Sequence, residues 1–396
     1  LTAVVGLKAI IPRREEGITY ECDGLTSYRE RPALVILPKT TAQVAAAVKI
    51  CDQNNLAWIA RGAGTGLSGG ALPVENCVLI VTSLMNQILK TDLDNQRVVV
   101  QPGVINNWVT QAVSGGGFYY APDPSSQVIC SIGGNIAENS GGVHCLKYGV
   151  TTNHVLGLKL VIPSGEIIDV GGEIGEMPGY DLTGLFVGSE GTLGIATEIT
   201  LKILKTPESI CVLLADFASI EAAGSAVSGI IGAGIIPAGI EMMDNFSINA
   251  VEDVVATKCY PRDAAAILLV EIDGSEVEVA TNQARIADIC RENGARDIAI
   301  ATEPEQRLRL WKGRKAAFAA MGKISPDYYV QDGVIPRTQL SYVLQEIATL
   351  GEKYGYFVAN VFHAGDGNLH PLILYDNSVA GALEQVEALG GEILKL

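Results

Sequence analysis

The sequence predicts an α+β protein of two domains, in which β-sheets are covered by helices. The chain has 396 residues, of which 48% are hydrophobic, enough for two or three sizeable cores. Strand-like apolar runs alternate with helix-like segments along the chain. The pattern changes after Thr206-Pro207, where long apolar runs replace glycine-rich turns. We therefore predict one domain over residues 1–206 and a second over residues 207–396.

The first domain begins with a predicted β-α-β unit. Val44, Val48 and Cys51 recur at helical spacing after Thr41, which we take as the N-cap. Residues 121–153 are rich in glycine and are predicted as a long irregular segment of the kind that often carries function. Ser164-Gly165 predicts the turn of a hairpin. The predicted strands are 34–38, 57–61, 77–82, 97–101, 155–170 (the hairpin) and 194–204, and a second helix is predicted over 104–113.

The second domain repeats strands and helices on a longer scale, which is typical of an α+β sheet layered with helices. A strand over 210–216 leads into an Ala/Gly-rich helix, and a strand over 264–273 leads into a helix over 275–292. A third strand, 354–362, is followed by a strand over 371–375 and a terminal helix.

Charge and cysteine usage exclude several classes of function. The net charge of −16 argues against a nucleic-acid-binding protein, which would need a basic surface. No two of the eight cysteines are spaced as C-x-x-C, so zinc-ribbon and iron–sulfur sites are not expected. No uncharged apolar run is long enough to span a membrane. The chain starts without a basic signal-peptide region, so we expect a cytoplasmic location.

The strongest local signal of the first domain is RGAGTGLSGGA, residues 61–71, between two apolar runs. Gly62, Gly64 and Gly66 are spaced G-x-G-x-G and lead into a proline-containing turn rather than a helix, which disfavours a Rossmann dinucleotide site. Bare backbone N–H groups in such a loop can approach an anion closely. A flexible linker is the alternative, but apolar strands hold both ends. Three more glycine-dense segments follow, at 123–135, 138–149 and 187–195, and together they suggest a large dinucleotide.

At this point a family resemblance becomes clear. RGAGTGLSGG, YYAPDPSS, SIGGNIAENSGG, KYGVTTNHVLGLKLV and FVGSEGTLGI, in this order, resemble the FAD-binding domain of the vanillyl-alcohol-oxidase-type flavoproteins. The resemblance implies a two-part, PCMH-type FAD-binding domain followed by a ferredoxin-like α+β cap domain over 207–396. It also implies that FAD is not covalently bound, because residues 61–71 contain no histidine.

The resemblance also implies which residues contact the cofactor. Those of the first loop would hold the pyrophosphate, those of the next segments would line the flavin, and those of the last would lie near the rest of FAD. In that order they are Arg61, Gly62, Ala63, Gly64, Thr65 and Gly66; Pro122, Asp123, Ser131, Gly133, Gly134, Asn135 and Gly141; and Glu190, Gly191 and Ile195.

The strongest signal of the second domain is FHAGDGNLHPLIL, residues 362–374. Apolar runs flank an Asp366-Gly367 turn, so His363 and His370 are expected to meet, with both imidazoles reaching one metal or one substrate oxygen. The alternative is that histidines at strand ends only satisfy local hydrogen bonds.

Within the family this stretch resembles the D-2-hydroxyacid dehydrogenase branch, most of all the glycolate-oxidising members. The resemblance implies that His363 and His370 ligate a divalent metal (zinc, manganese or iron). A metal lowers the pKa of the substrate hydroxyl group and a histidine can take its proton, and His370 is our hypothesis for this base. A guanidinium is expected to grip the substrate carboxylate in a bidentate manner, with Arg314 the first choice and Arg337 the second. The family's third metal ligand lies in a Gly-Glu-His-Gly motif, which this chain lacks, so we expect a C-terminally truncated chain or an incomplete metal site.

The predicted activity is FAD-dependent oxidation of a small D-2-hydroxy acid by hydride transfer to flavin N5, with glycolate favoured and D-lactate second. Leu372 stands where 2-hydroxyglutarate enzymes carry asparagine, which disfavours that substrate. A non-catalytic electron-relay subunit is the alternative from another class. The resemblance implies a second FAD-domain subunit and an iron–sulfur subunit as partners, with electrons passed to a partner or a quinone and a place at the inner face of a membrane.

Overall fold

A computed structural model describes residues 1–12, 15–173 and 178–396, which divide into two units. The first unit comprises Leu1–His144 and Tyr148–Thr206, and the second comprises Cys145–Lys147 and Pro207–Leu396. Within the described ranges, no helix is long and apolar enough to cross a membrane.

The first unit contains two main sheets and several short helices. Its strands are β1 (Ile10–Pro12), β2 (Leu34–Ile36), β3 (Trp58–Arg61), β4 (Val78–Val81), β5 (Ile88–Asp92), β6 (Arg97–Val100), β7 (Phe118–Tyr119), β8 (Val155–Val161), β9 (Ile167–Gly171), β10 (Ile195–Lys202) and β11 (Leu204–Lys205). Its helices are α1 (Thr2–Val5), α2 (Thr41–Gln53), α3 (Asn106–Val113), α4 (Ile132–Glu138) and α6 (Leu182–Phe186), and α5 (Cys145–Tyr148) lies at the division between the units.

The first sheet has the order β1-β2-β4-β3 and contains the predicted β-α-β unit. Strands β2 and β3 both pair with β4 in parallel, and α2 buries Val44 and Val48 against Ile36 and Ile80. The predicted N-cap was wrong by one residue: Thr40, not Thr41, accepts a hydrogen bond from a first-turn amide. Strand β3 of this sheet ends at Arg61, where the first glycine loop begins.

The second sheet is antiparallel, with the order β5-β6-β10-β8-β9. The predicted hairpin is confirmed as β8 and β9, which pair from Val161 and Ile167 onward. The prediction that residues 121–153 are irregular was wrong in part, since α4 lies within them. Ser131 caps α4 by accepting from the Gly134 amide, so a glycine-rich segment still forms a helix.

The second unit is a large sheet with helices on it. Its strands are β12 (Ser209–Phe217), β13 (Gly239–Asp244), β14 (Ala266–Gly274), β15 (Ala295–Ala301), β16 (Asp327–Val330), β17 (Gly333–Val334), β18 (Val358–His363), β19 (Asn368–Leu369) and β20 (Pro371–Tyr375). Its helices are α7 (Ile220–Gly232), α8 (Asn245–Val254), α9 (Glu276–Glu292), α10 (Pro304–Met321), α11 (Leu340–Tyr354) and α12 (Ala382–Ile393).

The strand order β15-β12-β14-β13 in this sheet, with α7 and α9 as crossovers, is the ferredoxin-like arrangement. Strands β18, β19 and β17 extend the sheet beyond β13. Side chains alternate across it, so Ile240, Met242 and Phe362 join the main core on one face. Glu241 lies between Ile240 and Met242, and His363 follows Phe362. Their side chains therefore project to the opposite face.

Candidate active site

The first glycine loop is held in shape by the side chain of Arg61, the last residue of β3. Arg61 is only 8% exposed, and its Nη1 donates to the carbonyl oxygens of Cys22 at 2.7 Å and Ala71 at 3.2 Å. A Cβ on Gly64 would lie 2.2 Å from Arg61 Nη2, and Gly64 has a φ of +71°, so only glycine fits above the guanidinium. Arg61 therefore clamps the two ends of the loop.

The backbone N–H groups of Gly64, Thr65 and Gly66 remain available in this loop. Across the described ranges, none of the three donates a hydrogen bond to a protein acceptor. Consecutive free amides beside a left-handed residue are the arrangement that forms an anion-binding nest. The neighbouring Ala63 amide is used differently, because it donates to Ser131 Oγ at 3.3 Å. The amides of Gly64, Thr65 and Gly66 could therefore donate to a phosphate group.

The second glycine segment packs directly on the first. A Cβ on Gly62 would lie 2.2 Å from Ser131 Oγ and 3.3 Å from the Gly134 amide nitrogen, so the Ser131 side chain packs against the bare backbone of Gly62. Gly133 is equally confined, since its Cβ would lie 2.6 Å from Pro102 Cβ.

Asn135 connects α4 to the segment before it. Its buried Oδ1 accepts from Asn106 Nδ2 at 3.0 Å. Asn106 Nδ2 also donates to the Pro122 carbonyl oxygen at 3.0 Å. Asp123, the next residue, lies 3.1 Å from His144 Nδ1 and directly against Gly142, which follows Gly141.

The fourth glycine segment meets the end of α4. The Gly188 and Glu190 amides donate to the carbonyls of Ile136 and Ala137, each at 2.8 Å. Glu190 and Gly191 both have positive φ, at +54° and +74°. Ile195 starts β10 and its side chain lies in the core of the first unit rather than at its surface. The first, second and fourth glycine segments thus contact one another through α4 and its Ser131 cap, whereas Ile195 is buried with Ile36 and Ile80 of the first sheet.

In the second unit, the structure brings His363 and His370 together. His363 ends β18, residues 364–367 form a tight turn, and His370 lies between β19 and β20. The two ring centroids are 5.0 Å apart and the rings are nearly perpendicular, at 89°. Arg337 supports the turn, because its Nη1 donates to the Gly365 carbonyl at 2.8 Å. A motif read from the sequence thus forms one paired site.

Glu241 and Arg314 complete this site. Glu241 on β13 is the direct cross-strand partner of His363 on β18, so both side chains share one face. His363 Nδ1 donates to Glu241 Oε1 at 2.6 Å, and Arg314 on α10 contacts Glu241 Oε2 through Nε at 2.8 Å and Nη2 at 2.6 Å. The side chains of Arg314 and Glu241 are almost fully buried, at 2% and 0% exposure.

The surroundings shift the pKa values of the two imidazoles in opposite directions. Burial lowers the pKa of His370 to about 3, and the positive charges of His363 and Arg314 add to this effect. Burial also disfavours the charged form of His363, but the Glu241 carboxylate outweighs it and the pKa of His363 is raised. His370 is therefore neutral at pH 7, with Asp332 Oδ1 3.6 Å from its Nδ1.

The two histidines could supply only part of the coordination sphere of a metal ion. Among the residues that the structure describes, no group of three or more His, Cys, Asp or Glu side chains is placed to hold a metal. Two imidazoles, one of them oriented by a carboxylate, supply part of a coordination sphere, whereas catalytic sites usually have three protein ligands. The cluster described here therefore contains two imidazoles that could act as ligands.

Sequence reasoning did not find Glu241. It lies 122 residues from His363, and only the register of β13 against β18 joins them. The available signal was the acid within the apolar run IEMM (240–243), where an unpaired carboxylate would be costly to bury.

Two family models match different parts of the chain. Residues 32–171 match the family of FAD binding domains, and residues 206–396 match the family described as FAD linked oxidases, C-terminal domain. Glycolate oxidase subunit GlcD of Escherichia coli (strain K12) is 52% identical over 393 residues, covering 99% of this chain and 78% of that protein. D-lactate dehydrogenase of Anaerostipes hadrus is 32% identical over 376 residues, covering 92% of this chain and 79% of that protein.

A solved structure shows the same fold. That of p-cresol methylhydroxylase with substrate bound has a TM-score of 0.82 and 16% identity, and covers 100% of this chain and 85% of that one. The predicted fold class, a vanillyl-alcohol-oxidase-type FAD-binding domain with a ferredoxin-like α+β cap, is confirmed.

Proposed function

Since this chain belongs to the family of FAD-linked oxidases, we propose that it oxidises glycolate to glyoxylate as the flavin-bearing subunit of a glycolate-oxidising enzyme. The observation that carries the proposal is the 52% identity to a glycolate oxidase subunit over 99% of the chain, together with the paired imidazoles of the second unit. D-lactate is the second candidate substrate, because a D-lactate dehydrogenase is 32% identical over 92% of the chain.

The first unit would hold FAD without a covalent bond. The free amides of Gly64, Thr65 and Gly66 suit the pyrophosphate, and Arg61 would act by shaping this loop, since its guanidinium is engaged by two carbonyls. The segments around α4 would contact the rest of the cofactor. When bound, FAD supplies the acceptor for the hydride that leaves the carbinol carbon.

The second unit would bind and deprotonate the substrate. His370, beside His363, would take the proton of the hydroxyl group as the carbon–hydrogen bond breaks, as long as its lone pair is not bound to a metal. Arg314 would bind the carboxylate, but its Nε and Nη2 already contact Glu241, so the substrate would meet the Nη1 end of the guanidinium. Arg337, half-buried beside the histidine turn, remains the second choice.

A divalent metal, whether zinc, manganese or iron, would be held by His363 and His370, with oxygens of the substrate among its other ligands. When bound, it would lower the pKa of the substrate hydroxyl group. Among residues 1–12, 15–173 and 178–396, no third His, Cys, Asp or Glu side chain joins this pair.

The electrons would leave through other proteins. The relative from Escherichia coli is described as a subunit, which supports a multi-subunit enzyme. We propose a second FAD-domain subunit and an iron–sulfur subunit as partners, and a cytoplasmic location with peripheral attachment at the inner face of a membrane.

A steady-state assay with an artificial electron acceptor tests the proposal. The chain reconstituted with FAD and a divalent metal is given glycolate and D-lactate separately. We expect a higher kcat/KM for glycolate. A higher value for D-lactate would transfer the assignment to the second candidate, and no reduction by either acid would favour a subunit that only relays electrons.

A further inference from the structure

The buried carboxylate of Glu241 contacts both His363 and Arg314, to which the proposed function assigns different roles. Glu241 accepts from His363 Nδ1 through one oxygen and from Arg314 through the other, so neither oxygen is free to change partners. His363 Nδ1 and the Arg314 guanidinium both donate to the Glu241 carboxylate, and a guanidinium can only donate because it stays protonated. Glu241 must therefore stay an acceptor on both sides.

When the His363 ring is neutral, this arrangement fixes its one proton on Nδ1. An imidazole that donates from Nδ1 to a carboxylate, and is neutral, carries no hydrogen on Nε2. Its Nε2 lone pair then points away from Glu241, and the His370 ring lies edge-on at 5.0 Å. A carboxylate partner on the opposite nitrogen also raises the basicity of the exposed one.

We infer that Glu241 is a positioning residue, which holds His363 as the Nδ1–H tautomer and so keeps Nε2 open as a ligand or proton acceptor, while Arg314 fixes the carboxylate. What Nε2 then binds rests on the proposed function. The tautomer itself does not, because it follows only from the contacts of Glu241.

The substitution Glu241→Gln makes the inference testable, because the side-chain amide has one acceptor and one donor end. Arg314 can only donate, so the amide oxygen must face Arg314 and the amide NH2 must face His363. Nδ1 then has to become an acceptor, and the proton moves to Nε2. The variant keeps the shape of the site but closes the nitrogen that the wild type presents.

The direct readout is the nitrogen spectrum of selectively 15N-histidine-labelled holoprotein. The chain has only four histidines, so a His363→Gln spectrum assigns the signal by subtraction. We expect Nδ1–H for His363 in the wild type and Nε2–H in Glu241→Gln. We also expect metal affinity or glycolate turnover to fall on the order of 10–100-fold, with FAD content unchanged.

Glu271→Gln is the matched control. Glu271 is a buried acid on the adjacent strand β14 and accepts from Trp311 Nε1 on the same helix as Arg314, which an amide oxygen can still do. It should leave the His363 signals in place. The inference is overturned by an Nε2–H tautomer or a doubly protonated ring in the wild type at pH 8, or by an unchanged tautomer in folded Glu241→Gln. If the tautomer changes in Glu241→Gln but the wild type does not oxidise glycolate, the proposed function is wrong and this inference is still supported.

Discussion

Alanine at Gly66 separates the binding of FAD from the stability of the fold. The φ of Gly66 lies outside the left-handed region, and the nearest atom to a Cβ added there is Glu138 Oε1 at 3.8 Å, an ordinary contact. The polypeptide alone therefore tolerates the methyl group. Replacing glycine at a compatible position even stabilises a fold, by about 0.4–1 kcal/mol, because the unfolded chain loses freedom.

The cofactor should not tolerate it. If the free amides at residues 64–66 bind the pyrophosphate, the added methyl group holds a phosphate away from its donors. Loss of one hydrogen bond to a charged group costs about 1.5–3 kcal/mol. This free energy corresponds to a rise in Kd for FAD of roughly 10- to 100-fold.

The assay is a titration of apoprotein with FAD, followed by flavin fluorescence, beside a thermal melt of the apoprotein. Gly115→Ala is the control, because a Cβ at Gly115 meets nothing within 4 Å and its φ is likewise not positive. We expect Gly66→Ala to melt at or above the wild-type temperature and to bind FAD weakly, with Gly115→Ala normal in both. A Kd for Gly66→Ala within twofold of wild type would refute this placement of the pyrophosphate.

Three further variants test the second unit. His370→Ala should lower turnover by roughly 10²–10⁴-fold with FAD fully bound, since it removes the proposed base; near-normal turnover in a steady-state assay would exclude that role. Arg314→Lys should raise the KM for glycolate by about tenfold or more, because an ammonium lacks the planar end that meets a carboxylate, and an unchanged KM would move this role to Arg337. Burial raises the pKa of Glu252, but hydrogen bonds from the Thr257 hydroxyl group and three backbone amides outweigh it, so the net pKa is lowered. Its stabilisation is thus complete above the unfolded pKa of about 4.3 and is lost as the pH falls through the lower folded value. Glu252→Gln should flatten the loss of melting temperature with acid, and an identical slope would contradict this.

Local patterns foretold much of the fold. The hairpin of β8 and β9, the parallel unit around α2 and the strands β12 and β14 follow from apolar periodicity and turn residues close in sequence. Helix α4 escaped notice because IGGNIAE has two glycines in its first turn, and its formation depends on the Ser131 cap and on packing against Pro102. Tertiary contacts there override the low helix propensity of glycine.

The candidate site was predictable where one short motif carries it. His363 and His370 are seven residues apart, and the turn between them determines that they meet. Glu241 and the engagement of Arg314 were not predictable, because they depend on strand register between distant segments and on where α10 lies on the sheet. The predicted bidentate grip by Arg314 likewise took no account of a partner that only the fold supplies.

The proposed function requires that this chain bind a flavin and transfer to it the hydride of a small 2-hydroxy acid. An anaerobic titration of the FAD-loaded, metal-supplied protein with glycolate, followed by absorption of the flavin, measures this transfer. We predict that glycolate bleaches the oxidised flavin band and that admitting an electron acceptor restores it. A flavin spectrum that neither glycolate nor D-lactate changes, in protein with FAD stoichiometrically bound, would show that the chain does not carry out this reaction.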